Sequence, residues 1–294
     1  MAQDETQFRR ILADFFANPI AAFGLTLLAL ILFVAIAAPL ISPQNPYDLA
    51  QLDVVDGRLP PGSTASSGSG TFWLGTDDQG RDMLSAIFYG LRISLTVGVM
   101  STLIALAIGL ALGLVAAYLG GWTETVIMRI ADIQLSFPAI LIALILLAVL
   151  GQGMGKIVAA LVTVQWAYYA RTVRGAALVE KRKEYIEAAR CLALPPSRIV
   201  FRHLLPNCLP PLIVVATVQV AAAIALEATL SFLGLGLPIT EPSLGLLIAN
   251  GYQYLLSGKY WISFFPGVAL LLTIVSINLV ADQLRDVMNP RLQR

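Results

Sequence analysis

Six runs of about twenty predominantly apolar residues, at 20–40, 94–119, 126–150, 157–173, 209–233 and 261–280, constrain this chain more than any other feature. A bilayer core about 30 Å thick is crossed by about 20 helical residues. In hydrocarbon, only a helix or a closed barrel satisfies its own backbone polar groups. The sequence therefore predicts an all-α, polytopic membrane protein with about six transmembrane helices. Composition agrees, with 57% of the 294 residues hydrophobic and 13% charged, against about 25% charged in an average soluble protein. A formal charge of +1 excludes the strong positive charge that nucleic-acid binding requires, and the apolar excess excludes a disordered chain. Cys191 and Cys208 are too few for a disulfide framework and fit no metal-ligand spacing. A single histidine, His203, leaves no histidine-based metal or triad site.

The run at 20–40 follows Arg9 and Arg10 and contains a cleavage-like Ala35-Ile36-Ala37, but it exceeds a signal-peptide core of about 7–15 residues, so it reads as an uncleaved span. Orientation follows from loop charge, because segments rich in Lys and Arg stay in the cytoplasm. With the N-terminus inside, fourteen basic residues, from Arg9 through Arg129, Arg174, Lys181 and Arg202 to Arg294, fall inside; Arg58, Arg81, Arg92, Lys156 and Lys259 fall outside. Both termini are expected in the cytoplasm. The chain divides into a cytoplasmic segment 1–19, a first span 20–40, an outer segment 41–93 and a core 94–284 that includes a cytoplasmic loop 174–207, followed by a tail 285–294. The outer segment contains a Pro, Gly and Ser linker at 60–70, and a short interfacial helix is expected at 243–256. The lack of a clear internal repeat gives no support to an inverted-repeat transporter.

The cytoplasmic loop has the highest charge density. Good helix formers fill 184–193, Pro195-Pro196 interrupt them, and Ser197 is placed to cap a second, very short helix that Pro206 closes. Eight or so residues do not hold a helix alone in water, so this one must dock. Arg198 and Arg202, four apart, repel on an isolated helix and would welcome an acidic partner, while Ile199, Val200 and Leu204 offer an apolar side to a groove. His203 reads as a surface residue of that helix. Physics alone leaves a lipid surface and a protein partner equally open.

Glu187-Ala188-Ala189, the small residue Ala193 and the stretch from Ile199 to Leu205-Pro206 resemble the EAA loop of ATP-binding-cassette (ABC) importer permeases, with Ala193 where the family has glycine. Leu74-Gly75-Thr76-Asp77, Gly80-Arg81-Asp82, Leu230-Ser231-Phe232-Leu233-Gly234-Leu235-Gly236, Phe265-Pro266-Gly267, Leu284-Arg285-Asp286 and Asn289-Pro290-Arg291-Leu292 are similar to the dipeptide, oligopeptide and nickel importer permeases, the C-type subunit in particular. The resemblance covers nearly the whole chain. It implies a type I ABC importer permease in a bacterial inner membrane, paired with a second homologous permease, two cytoplasmic ATPases and an external substrate-binding protein. The coupling residues it implies are Glu187, Ala188, Ala189, Ala193, Ser197, Arg198, Ile199, Arg202, Leu205 and Pro206. Short peptides are the expected cargo, ahead of nickel chelates and glutathione-like or opine-like solutes, because the external protein does most of the selecting.

A phosphate-cradling loop needs Gly-x-x-x-x-Gly-Lys, and neither Gly155-Lys156 nor Gly258-Lys259 has the leading glycine. The chain is therefore expected to bind no cofactor and to be no enzyme, with ATP and Mg held by partner chains. Charge inside a span costs on the order of 2.5–3.5 kcal/mol and demands a partner or a cavity. Glu227 is the deepest case, either on a translocation path or in a structural hydrogen bond; Gln165 and Gln219 are the other pathway candidates. Arg129 and Asp132 are expected to pair with each other. Gln134, Ser136 and Pro138 are expected to bend or hydrate the third span, and Gly109 and Gly113 to admit a close helix. Asp77, Asp78 and Asp82 read first as caps of the helix near Met83, then as a partner contact, and last as a metal site. The rival function is a stand-alone ion-coupled transporter or channel. It would need more deep acidic groups than Glu227.

Overall fold

The computed structural model describes residues 13–48, 52–68 and 70–288. Arg9, Arg10, the Asn289-Pro290-Arg291-Leu292 motif and Arg294 lie outside the described residues. Helix α1 (Pro19–Ile41) starts at Asn18, whose side chain accepts from the Ile20 amide at 3.0 Å, with proline in the first turn where a missing N–H costs nothing. A two-stranded hairpin of β1 (Ser63–Thr64) and β2 (Thr71–Phe72) follows. Helix α2 (Met83–Leu119) runs 37 residues, about 55 Å at 1.5 Å per residue. Then come α3 (Gly121–Leu135), α4 (Ala139–Leu150) and α5 (Met154–Glu180). The loop contains α6 (Glu184–Cys191) and the single turn α7 (Pro196–Arg198), which passes through a π-helical turn, Ile199–Leu204, into α8 (Leu205–Phe232). The short α9 (Leu244–Tyr252) and α10 (Trp261–Val287) complete the chain.

Among the described residues four helices are long and apolar enough to cross a membrane: α1, α2, the continuous Pro196–Phe232 and α10. The pair α3–α4 makes a fifth if read as one broken span. Helix α5, at 27 residues or about 40 Å, is long enough to be the sixth but carries Lys156, Arg171, Arg174 and Glu180.

Several expectations are corrected. The span at 94–119 is the continuation of the helix expected near Met83, which Asp82 caps by accepting from the Ser85 amide at 2.8 Å. The third span bends where Pro138 is expected to bend it, but by 90°, which breaks it into α3 and α4. Pro138 stands at the break, where its missing N–H and the constraint it places on the preceding residue oppose a continuous helix. Ser197 does not cap the second loop helix, which starts from Pro195 with no side-chain cap. Pro206 does not close it either, because it sits in the first turn of α8, where helix tolerates proline. The short outer helix exists as α9, capped by Ser243, but Leu244, Gly245, Leu246, Leu247 and Gly251 are buried, so it is packed inside rather than laid on an interface.

Packing is close where side chains are absent. A methyl group on Gly109 would lie 2.6 Å from the Trp166 carbonyl oxygen and one on Gly113 2.6 Å from that of Ala170, so α2 and α5 meet backbone to backbone, as the spacing of these glycines predicts. Gly24 makes room for the side chain of Leu279 of α10, whose Cβ would lie 2.7 Å from an added methyl group. One core joins α1, α2, α8, α9 and α10 around Met83, Ile87, Ile224, Leu244 and Ile262; another joins α2, α4, α5 and α8 around Val97, Leu147, Leu161 and Leu230.

Candidate functional site

The loop between α5 and α8 is a small folded unit with its own core. Ile186, Ala189, Ile199 and Leu204 are buried together, with Tyr118 of α2, Leu194 and Val200 packed against them. Helix α6 carries Glu184 and Glu187 in its first turn and Arg190 in its last, each at the end its dipole favours. It ends in a Schellman motif. The Leu194 amide donates to the Ala189 carbonyl at 3.2 Å and the Ala193 amide to that of Arg190 at 2.9 Å, with Ala193 left-handed at φ +53°. That conformation explains why glycine is the expected residue there.

At its base the loop is clasped to the helices on either side. Glu180 accepts from Lys183 Nζ and from the Tyr185 hydroxyl, both at 2.6 Å, and Asn207 Nδ2 donates to Tyr185 at 3.1 Å and to the His203 carbonyl at 2.7 Å. Burial first, and then the bond to Glu180, pushes the Tyr185 hydroxyl up to about 12. Lys181 Nζ donates to the carbonyls of Ala117 and Tyr118, at 2.9 Å each. His203, expected at the surface of that helix, is half-buried beside the Tyr185 ring.

The apolar side of the short helix turns inward. Ile199 and Leu204 are 2% and 1% exposed, spent on the loop's own core rather than offered to a groove. What faces outward is Glu187, Ala188, Arg190, Leu192, Ser197, Arg198, Phe201 and Arg202. Leu192 and Phe201 are 74% and 67% exposed, two large apolar groups among three arginines. Sequence reasoning missed both; for Phe201 the signal was an apolar residue out of phase with the buried Ile199 and Leu204. Of the other expected coupling residues, Ala189 is buried, Leu205 is half-buried and Pro206 is exposed.

The other end of the bundle is tied by the Gly75 to Asp82 segment. Arg81 Nε and Asp77 Oδ2 form a buried ion pair at 2.6 Å, and Arg81 Nη1 donates to the Ile239 carbonyl at 3.1 Å. Trp261 of α10 donates to the Thr76 carbonyl at 3.1 Å, and the Ser85 hydroxyl to Asp82 Oδ2 at 2.6 Å. Two of the three carboxylates are thus engaged internally, Asp82 as the expected cap. Asp78 is the third; burial, and then the neighbouring Asp77, raises its carboxyl above the usual range.

Within the bundle Glu227 is fully buried. Its Oε2 accepts from Ser94 of α2 at 3.0 Å and its Oε1 from Ser231 at 2.7 Å. Gln165, 4% exposed, donates to the Gln219 carbonyl at 3.2 Å and so joins α5 to α8, while Gln219 itself is half-buried. Beside it lies an open apolar groove of about 210 Å³ between α2 and α8, with Val99, Leu103, Leu209, Ala216 and Val220 among its walls. Asp132 pairs with Arg171 of α5 rather than with Arg129, because α3 lies across α5. Gln134, expected to hydrate the span, bonds the Thr163 carbonyl and accepts from Trp166 Nε1 at 2.6 Å.

Residues 109–294 match the family of binding-protein-dependent transport system inner membrane components, and residues 6–61 match the N-terminal transmembrane domain of oligopeptide transport permease C. The di/tripeptide transport system permease protein of Pseudomonas aeruginosa is 37% identical over 280 residues, covering 95% of this chain and 91% of that one. The dipeptide transport system permease protein of Escherichia coli is 40% identical over 277 residues, covering 94% and 91%. In structure the chain is similar to one from the MetNI methionine ABC transporter in inward-facing conformations, with a TM-score of 0.57, 24% identity and coverage of 70% of this chain and 97% of that one.

Proposed function

The chain belongs to the family of binding-protein-dependent transport system inner membrane components, and from that premise we propose that it carries short peptides inward, paired with a second permease, on energy from two ATPase chains. It is a multi-pass ABC importer permease subunit, not an enzyme. The reading places the α6–α7 loop and both termini in the cytoplasm, supported by the basic residues that gather on that side. ATP and Mg belong to the partner chains, and an external binding protein selects the cargo. Dipeptides and tripeptides are favoured over nickel chelates or glutathione-like solutes because the relatives are named for them.

The observation that carries the coupling role is the outward face of the loop. Phe201 and Leu192 stand exposed among Arg190, Arg198 and Arg202, on a unit clasped to α2, α5 and α8. Exposed apolar groups on a loop rich in arginine suit an apolar, acid-rimmed cleft on an ATPase, where a buried aromatic is worth about 2 kcal/mol or more. Glu227, Gln165 and Gln219 are assigned to the helices that wall the pathway.

Two experiments test this. The purified chain alone hydrolyses no ATP while the assembled complex does; robust turnover by the chain alone overturns the reading. Glu187→Lys abolishes peptide uptake in cells while the chain still inserts, and full uptake by that variant removes Glu187 from the coupling face.

A further inference from the structure

The last carbonyls of a helix have no partner within it and collect partial negative charge. In α2 the Ala116 carbonyl is taken by the Gly120 amide, and those of Ala117 and Tyr118 by Lys181, whose Nζ also lies 5.8 Å from the centre of the Tyr118 ring. Lys181 stands between α5 and the loop, and the ring of Tyr118 packs on the loop's core. Helix α2 is in turn locked to α5 at Gly109 and Gly113, and its far end begins in the Asp82 knot that meets Gln44 and, through Thr76, Trp261.

We infer that Lys181 is a positioning residue that fastens the coupling loop to the C-terminal end of α2, so that a displacement of the loop enters this long helix directly. The inference rests on the loop's role as the ATPase contact. Two charge-assisted hydrogen bonds and an aromatic face hold one ammonium on α2, where a surface lysine serving only the charge bias would need none of them. With the link cut, the loop pivots at 181–183 and α2 lags behind it. The ATPases still close, but the bundle follows less often.

The test uses the complete transporter, both permeases and both ATPases, in proteoliposomes loaded with ATP, with the binding protein and a radiolabelled dipeptide added outside. Lys181→Met keeps the length of the side chain and removes its donors; Lys181→Arg keeps donors and charge. The expected result is that Lys181→Met retains co-purifying ATPases and basal ATP hydrolysis while dipeptide imported per ATP falls about tenfold, the scale of one lost charged hydrogen bond, and Lys181→Arg restores most of it. An unchanged import ratio in Lys181→Met overturns the inference. So does loss of the ATPases or of basal hydrolysis in that variant, or failure of Lys181→Arg to rescue, since each makes Lys181 a mere determinant of folding or docking. If the unmodified complex shows no ATP-dependent import, the reading of the loop fails before any variant is measured.

Discussion

Ala193 holds a conformation that a side chain resists. A left-handed backbone costs an ordinary residue roughly 1–2 kcal/mol, and both hydrogen bonds of the motif that ends α6 depend on it. Ala193→Gly is therefore expected to stabilise the loop by about 1 kcal/mol, the relieved strain outweighing glycine's looser unfolded chain. Slower amide hydrogen exchange at 184–204 in the variant checks this, and faster exchange contradicts it. Glu227 is a different kind of residue, an acceptor for the hydroxyls of Ser94, Ser231 and Ser243. Glu227→Leu leaves Ser94, Ser231 and Ser243 with no carboxylate and costs about 1–3 kcal/mol, read as a lower melting temperature in detergent. Glu227→Gln, which keeps an acceptor, costs less; equal loss in both variants would mean that the charge rather than the hydrogen bonding matters.

At the scale of elements, the chain's punctuation decided what was legible. Apolar length located the four helices long and apolar enough to cross a membrane and the broken pair that makes a fifth, and the glycine pair correctly announced the approach of α2 to α5. Proline was harder to read. Pro206 looks like a stop, but in the first turn of α8 it starts a helix, so the short docking helix runs without a break into a membrane span. Pro138 reads as a bend in the third span, but the composition around it does not give the size of that bend, a right angle. The partner of Asp132 was hidden because Arg171 is far away in sequence and only the angle of α3 brings it near. Likewise the inward turn of Ile199 and Leu204 depends on Tyr118, a residue of another helix. Gly113→Leu tests the helix contact, since its side chain would meet the Ala170 carbonyl and force α2 from α5. Overpacking of this kind costs about 1–3 kcal/mol or more. The variant is expected to lose uptake and to be cleared from the membrane; wild-type abundance on an immunoblot would show that the two backbones have room to part.

At the scale of the whole molecule, two ends of one bundle are built differently. One end is closed by the buried Arg81–Asp77 pair, the Asp82 cap and α9 packed inside it. The other carries the clasped loop with Phe201 and Leu192 in the open. A chain that worked alone would have no use for a costly exposed apolar pair mounted so firmly, whereas an importer subunit needs a firm handle that another protein can push. The most direct measurement places a cysteine at Phe201, in a chain with Cys191 replaced by serine, and applies a short bifunctional cross-linker to the assembled complex. The account predicts a product joining this chain to an ATPase subunit, with a yield that changes when ATP is added. A Phe201→Cys chain that transports peptide normally yet never cross-links to an ATPase, with or without nucleotide, would contradict it.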